Sequence, residues 1–216
     1  LIRALNALKR PGDIDLGMGE PTIRPALRPF ELAAAQIAAH GCPYTPNAGD
    51  PALRAAIAAR YACRPEQVCV TVGSQEALWL AIKAMLDPAA DELLIISPAY
   101  PAYAKIAQLE GVACREVGLD PATGFAPDAA RVLAAIGPRT RMVLLATPAN
   151  PTGRVWPDDQ LDRLAEGLQA LGDARPWVLV DEVYRELVYL TPRPQTFAGR
   201  YDRTLVTNSL SKSHAL

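Results

Sequence analysis

The chain has 216 residues, half of them hydrophobic, which is enough for one large domain or two small ones with a buried core. Its 22 Lys and Arg residues nearly balance its 23 Asp and Glu residues, which argues against a nucleic-acid-binding surface and against intrinsic disorder. The longest apolar runs are only strand-sized, too short to span a membrane, and the first residues lack a signal-peptide pattern. We therefore expect a soluble cytoplasmic protein.

In chain order, the sequence predicts strands that alternate with amphipathic helices after a less regular start. The first 45 residues form a predicted arm or part of a second domain, and residues 46–216 form the main domain. Within the main domain, Asp50-Pro51 is typical of a helix N-terminus and opens a predicted helix that runs through Ala62. Further helices are predicted over 74–86, 100–110, 128–136 and 157–171, and strands over 67–72, 93–97, 113–117, 141–146, 177–180 and 204–207.

The alternation predicts the fold class. Nearly continuous apolar strands separated by helices are typical of an α/β fold with a mostly parallel sheet and helices on both faces. Ligands of such sheets bind outside the carboxyl ends of the strands, so we expect the site residues in polar segments that follow strands.

The four cysteines give no sign of a metal site. They are isolated, no pair has C-x-x-C spacing, and the chain has only two histidines, so we predict no zinc or other metal. We expect the cysteines to be small hydrophobic side chains in the core; they are Cys42, Cys63, Cys69 and Cys114.

Two polar segments follow the predicted strands 67–72 and 141–146. Gly73-Ser74-Gln75 precedes a helix, an arrangement that suits a bound phosphate but is on its own more typical of an ordinary strand-to-helix turn. Asn150 lies in a stiff loop between two prolines, where its amide can donate to a ligand or simply satisfy its own backbone.

Two further segments follow the last two predicted strands. Asp181 ends an apolar strand, where a carboxylate needs a metal, a protonated ring nitrogen or several donors, although a helix-capping role is equally compatible. Lys212 follows the final strand beside Ser209 and Ser211, where it could act as an amine nucleophile, whereas a lone lysine is more often a surface charge.

One ligand would use all four segments together. It carries a phosphate, an aldehyde for Lys212, a ring nitrogen that stays protonated beside Asp181, and a ring oxygen within reach of Asn150 and Tyr184. Pyridoxal 5′-phosphate has these groups, and its protonated pyridine serves as the electron sink of its chemistry.

The sequence also resembles the class I/II aminotransferases of the fold-type-I pyridoxal-phosphate enzymes. The resemblance runs from the segment Leu16-Gly17-Met18-Gly19-Glu20-Pro21 to Ser209-Leu210-Ser211-Lys212-Ser213-His214-Ala215, with the motifs in the family's order and spacing. It implies transfer of an amino group between an α-amino acid and a 2-oxo acid. Lys212 would hold the cofactor as an internal Schiff base and then move a proton at the substrate Cα.

The resemblance also implies the remaining site residues. Asp181 would pair with the ring nitrogen, Asn150 and Tyr184 with the ring oxygen, and Tyr100 would stack on the ring. The implied phosphate shell consists of Gly73, Ser74, Gln75, Ser209 and Ser211. Tyr44 would reach the phosphate of a neighbouring subunit, which implies a homodimer with shared active sites, and Gly19 would lie beside the substrate carboxylate.

Two alternatives share these motifs. A pyridoxal-phosphate-dependent carbon–sulfur β-lyase has the same cofactor residues and differs in residues that face the substrate. A non-catalytic cofactor-binding regulatory domain would follow a winged-helix segment, but the chain has only some 15 residues before its Leu16 motif and no basic patch. Family members also continue past the lysine with a phosphate-binding arginine and a small domain, so we expect this chain alone to be inactive.

Overall fold

The structure is a computed structural model that describes residues 7–14, 17, 19–189 and 195–216. It divides into two compact units, one comprising Leu1–Cys42 with Leu210–Leu216 and the other comprising Pro43–Ser209. Helices α1 (Leu27–His40) and α7 (Leu210–Ser213) belong to the first unit. Among the described residues, no helix combines the length and the apolar character needed to cross a bilayer.

The second unit contains a five-stranded sheet and five α-helices in its described part. Its strands are β1 (Glu92–Ser97), β2 (Ala113–Gly118), β3 (Thr140–Ala146), β4 (Trp177–Asp181) and β5 (Thr204–Thr207). Its helices are α2 (Pro51–Tyr61), α3 (Gly73–Met85), α4 (Ala102–Leu109), α5 (Ala129–Ala134) and α6 (Asp158–Gln169). The strand order is β2-β1-β3-β4-β5 and every pairing is parallel, which confirms the predicted α/β fold.

Alternate residues of each central strand pack on opposite faces of the sheet. In β3, Val143 and Leu145 belong to one hydrophobic cluster, together with residues of α5 and α6. Met142 and Leu144 belong to the other cluster, together with residues of α3 and α4. The predicted helices therefore cover both faces, and the central strands are apolar throughout because neither face meets water.

Capping and acidic residues favour the positions at which helices α2 and α6 begin. The Asp50 carboxylate accepts a hydrogen bond from the Leu53 amide at 2.9 Å, and Pro51 occupies the first turn of α2, as the sequence predicts. Helix α6 carries Asp158 and Asp159 in its first turn, where negative charge is favoured by the helix dipole.

The predicted strand over 67–72 is wrong. Val70 donates its amide to the Ala48 carbonyl at 2.9 Å, and the Arg54 side chain donates to the Val68 carbonyl at 2.9 Å, so a loop and a side chain satisfy this backbone instead of a neighbouring strand. The approach to Val70 is close because Gly49 has no side chain: a Cβ there would lie 2.5 Å from the Val70 Cβ.

The expectation that the cysteines lie in the core is also wrong. Cys42, Cys69 and Cys114 are exposed, and Cys63 is only partly buried. Cys114 shows the physical reason, because it lies on β2, an edge strand whose residues alternate between the core and solvent.

Helix α6 provides a test of the packing beneath the sheet. Leu164 is fully buried, so Leu164→Ala in the full-length protein should lower the free energy of unfolding by about 3 kcal/mol through lost burial and a new cavity. The matched control Leu171→Ala, at a position 40% exposed, should lower it by less than about 1 kcal/mol. Urea denaturation measures both changes, and equal losses would contradict the assigned core.

Candidate functional site

The carboxyl ends of β3, β4 and β5 meet at one edge of the sheet. Asp181, the last residue of β4, is in register with Ala146 on one side and Thr207 on the other. Beyond the strands, the Thr147 amide donates to the Asp181 carbonyl at 3.0 Å, and the Glu182 amide donates to the Thr207 carbonyl at 2.9 Å. The sheet therefore brings the loop that contains Asn150, the segment after Asp181 and the residues just before Ser209 to a common edge.

Asp181 is buried and held by a donor at each carboxylate oxygen. It is 4% exposed; its Oδ2 accepts from the Tyr103 hydroxyl at 2.8 Å, and its Oδ1 accepts from the Val183 amide at 3.1 Å. Burial raises the pKa of the Asp181 carboxyl above its ordinary value, although Tyr103, Val183 and the Thr207 hydroxyl oppose that shift. Within the described part of the second unit, no lysine, arginine or histidine pairs with this carboxylate.

Asp181 does not cap a helix; its only local hydrogen bond forms a turn. The bond from Val183 links residues two positions apart, and the next helical turn begins at Arg185 with Tyr184, rather than Asp181, as the preceding residue. The second oxygen is held from a distant element, α4, which a simple turn does not require.

Asn150 and Tyr184 lie together beside this edge. The Asn150 side-chain amide donates to the Tyr184 hydroxyl oxygen at 3.4 Å. The loop is fixed by its own backbone, since the Ala149 amide donates to the Arg154 carbonyl and the Gly153 amide donates to the Ala149 carbonyl, both at 2.8 Å. Burial raises the pKa of the Tyr184 phenol, so Tyr184 remains a neutral hydroxyl at physiological pH.

Two tyrosines that follow β1 complete the described cluster. The ring of Tyr100 meets the ring of Tyr103 edge to face, with centroids 5.6 Å apart and an interplanar angle of 86°. Tyr100 is partly exposed and Tyr103 is 2% exposed. Tyr100, a predicted site residue, is thereby linked to Asp181 through Tyr103.

The predicted phosphate segment begins a helix, as expected. Gly73 opens α3 with φ +72°, a conformation that glycine adopts readily, and Ser74 is half-buried while Gln75 is exposed. Helix α3 packs against β4 and β5. These positions agree with the prediction for the helix start, and the phosphate role stays a prediction.

Ser209 follows β5 in a segment tied to α2. The Ser209 amide donates to the Asn208 side-chain oxygen at 2.7 Å, and the Asn208 amide group donates to the Tyr61 hydroxyl at 2.7 Å. The guanidinium of Arg185 lies over the Tyr61 ring, 5.4 Å from its centroid, and 3.7 Å from the Glu182 carboxylate. Ser209 is thus anchored through Asn208 and Tyr61 to residues that follow Asp181.

Three predicted site residues belong to the first unit. Lys212 lies in α7, and its Nζ donates to the Gly19 carbonyl at 2.6 Å, which brings together two predicted residues that are far apart in the sequence. Ser211 lies in the same short helix and is exposed. Leu16 and Met18 of the N-terminal motif lie outside the described residues. Tyr44, in the second unit, is fully exposed.

The sequence reasoning missed the tertiary partners of the predicted residues. The Tyr103 side chain contacts Asp181, and the Asn208 side chain contacts both Ser209 and Tyr61, yet none of Tyr103, Asn208 and Tyr61 belongs to a predicted site motif. The only sequence signal for Tyr103 is its position three residues after Tyr100, which is typical of neighbours at the start of a helix. Nothing in the sequence marks Tyr61.

Comparisons with known proteins show the family to which the chain is similar. The profile of the family aminotransferase class I and II matches residues 12–216. The aspartate/prephenate aminotransferase of Thermus thermophilus is 34% identical over 210 residues, which cover 94% of this chain and 53% of that protein. The histidinol-phosphate aminotransferase of Xanthomonas euvesicatoria is 36% identical over 166 residues, which cover 76% of this chain and 44% of that protein.

The solved structures show the same relationship. The structure described as aspartate aminotransferase from Thermus thermophilus with maleate superposes with a TM-score of 0.85 at 34% identity, covering 93% of this chain and 53% of that one. The chain spans about half the length of the curated relatives that it matches. From the profile match, the identities and the parallel sheet together, the chain belongs to the class I and II aminotransferase family.

Proposed function

We propose that the protein is a pyridoxal-phosphate-dependent aminotransferase that moves an amino group between an α-amino acid and a 2-oxo acid. The observation that carries the proposal is the buried Asp181 carboxylate, which has two hydrogen-bond donors but no cation among the described residues of its unit. A buried carboxylate without a counter-charge is unfavourable, so the site is built to receive one.

The residues around Asp181 fit the cofactor's chemistry. A protonated pyridine nitrogen would supply the missing positive charge, and a charge-assisted hydrogen bond of this kind is worth about 1.5–3 kcal/mol. Asn150 and Tyr184 offer an amide and a hydroxyl for a ring oxygen, and Tyr100 offers an aromatic face. When bound, pyridoxal phosphate supplies an electron sink for the bonds at the substrate Cα.

The remaining roles rest on family membership. Lys212 would hold the cofactor through its amine, and the same amine, when free, would carry a proton at the substrate Cα. Hydroxyl and amide groups would hold the phosphate, namely those of Gly73, Ser74, Gln75, Ser209 and Ser211. Tyr44 is free to extend towards a second copy of the chain, and its full exposure supports a homodimer with shared sites.

The substrates are proposed as chemical classes. Gly19 would lie beside the substrate carboxylate, and the name of one relative, which includes aspartate, an α-amino acid, and prephenate, a 2-oxo acid, supports these two substrate classes. An enzyme of this kind would act in the cytoplasm.

The first test is covalent trapping. Borohydride reduction of the full-length protein with pyridoxal phosphate, followed by peptide mapping, should place the pyridoxyl group on Lys212 and on none of Lys9, Lys83 and Lys105, the chain's other lysines. Lys212→Arg should abolish the adduct, whereas the matched variant Lys105→Arg should retain it. An adduct that survives in Lys212→Arg would refute the assigned role.

A half-reaction separates transamination from β-elimination. With L-aspartate and no acceptor, the full-length protein should convert its cofactor to the amine form and release one equivalent of 2-oxo acid without ammonia, which spectroscopy and product analysis measure. Release of pyruvate and ammonia from a cysteine-type substrate, with the cofactor still in its aldehyde form, would instead identify a carbon–sulfur β-lyase.

The raised pKa of Asp181 predicts a pH-dependent stability change in the apoprotein. The ordinary pKa of this carboxyl is 3.8, and the folded state binds the Asp181 proton more tightly than the unfolded chain does. The free energy of unfolding therefore falls as the pH rises from 3.8 through the raised pKa. Asp181→Asn removes the charge and keeps an acceptor oxygen, so its apoprotein should be more stable than the wild type at about pH 8.

This gain should disappear as the pH falls towards 3.8, where the wild-type carboxyl is also neutral. Thermal unfolding at several pH values measures the difference. Asp173→Asn, at an exposed carboxylate, is the control and should show no such pH-dependent gain. If Asp181→Asn raised the thermal stability equally at about pH 8 and near pH 3.8, the result would contradict an ionised, buried carboxylate at Asp181.

A further inference from the structure

Tyr103 links two elements that are distant in the sequence. It lies in the first turn of α4, where its amide donates to the Tyr100 carbonyl at 3.1 Å, and its hydroxyl donates to Asp181 at the end of β4 at 2.8 Å. Both side chains are almost completely buried, with exposures of 2% and 4%. The hydrogen bond is therefore shielded from competing water.

The direction of this hydrogen bond is fixed by chemistry. An ionised carboxylate can only accept hydrogen bonds, so Tyr103 is the donor and Asp181 is the acceptor. Burial and the Asp181 charge raise the pKa of Tyr103 far above its ordinary value, which keeps that proton on the phenol. Such O–H to carboxylate bonds are about twice as strong as neutral ones.

The two donors together determine the rotation of the carboxylate. Tyr103 holds one oxygen and the Val183 amide holds the other, so rotation about the Cβ–Cγ bond breaks both contacts. Each oxygen keeps a further lone pair for a ligand. Removing Tyr103's hydroxyl would take away the donor from α4 that holds one of the two oxygens.

We propose that Tyr103 is a positioning residue that holds the Asp181 carboxylate in the orientation that receives a cationic ring nitrogen. This inference rests on the proposed function, because it assumes that Asp181 pairs with the pyridine ring of pyridoxal phosphate. Tyr103 acts through Asp181 and contacts no reacting atom in this assignment.

The hydroxyl can be separated from the ring. The Tyr103 ring packs edge to face on Tyr100, and Phe preserves that contact while removing only the oxygen. Tyr201→Phe is a matched control, because Tyr201 is 4% exposed and its hydroxyl donates to the Pro176 carbonyl at 2.6 Å, a contact that does not involve Asp181.

The test titrates full-length apoprotein with two probes. One is pyridoxal phosphate, and the other is 1-deazapyridoxal phosphate, in which carbon replaces the ring nitrogen. Tyr103→Phe should weaken the binding of pyridoxal phosphate about tenfold, as expected for one hydrogen bond to a charged group, and should change that of the deaza analogue less than about twofold. Tyr201→Phe should leave both affinities unchanged.

Two results would overturn the inference. Wild-type affinity of Tyr103→Phe for pyridoxal phosphate would show that its hydroxyl is dispensable, and equal losses for the two probes would show a general packing defect. If the wild type binds neither probe, the proposed function fails instead, so the two failures are distinguishable.

A mutant cycle keeps the test valid if Tyr103→Phe alone does not fold. In the Asp181→Asn background position 181 carries no charge, and Tyr103→Phe should then weaken pyridoxal phosphate binding less than about twofold. A tenfold loss that persists in this background would show that Tyr103 does not act through the carboxylate.

Discussion

The requirement to bury a carboxylate at the end of an apolar strand organises the described part of the second unit around Asp181. Water cannot solvate this group, so the protein must supply donors, and it does so from Val183 beside it and from Tyr103 on α4. These bonds leave the negative charge itself without a partner in the described part of that unit. Under the proposed function, this imbalance sacrifices stability for the ability to bind a cation, as functional sites often do.

The parallel sheet explains why the polar segments that follow other strands lie beside Asp181. Register places Ala146 and Thr207 beside Asp181, so the chain that leaves β3 and the chain that leaves β5 both emerge next to the carboxylate. The core beneath is apolar on both faces, which makes the strand ends the natural place for polar side chains. The same geometry anchors Ser209 through Asn208 and Tyr61.

Much of this arrangement could be predicted from local sequence. The apolar strands are predicted by their runs, the start of α2 by Asp50-Pro51, and Asp181 by its place after the last core residue of β4. The failures concern residues whose state depends on distant partners. The segment around Val70 has a strand-like pattern, but Ala48 and Arg54 take its hydrogen bonds, and neither is apparent from the pattern.

The sequence by itself determined the fold class, the family and the identity of the polar residues that follow each strand, because these depend on periodicity and on motifs within short stretches of chain. Only the tertiary structure decided that Tyr103 holds Asp181 and that Tyr61 anchors Asn208. These contacts join residues that are 78 and 147 positions apart. Their geometry follows from sheet register and helix packing, which local patterns do not specify.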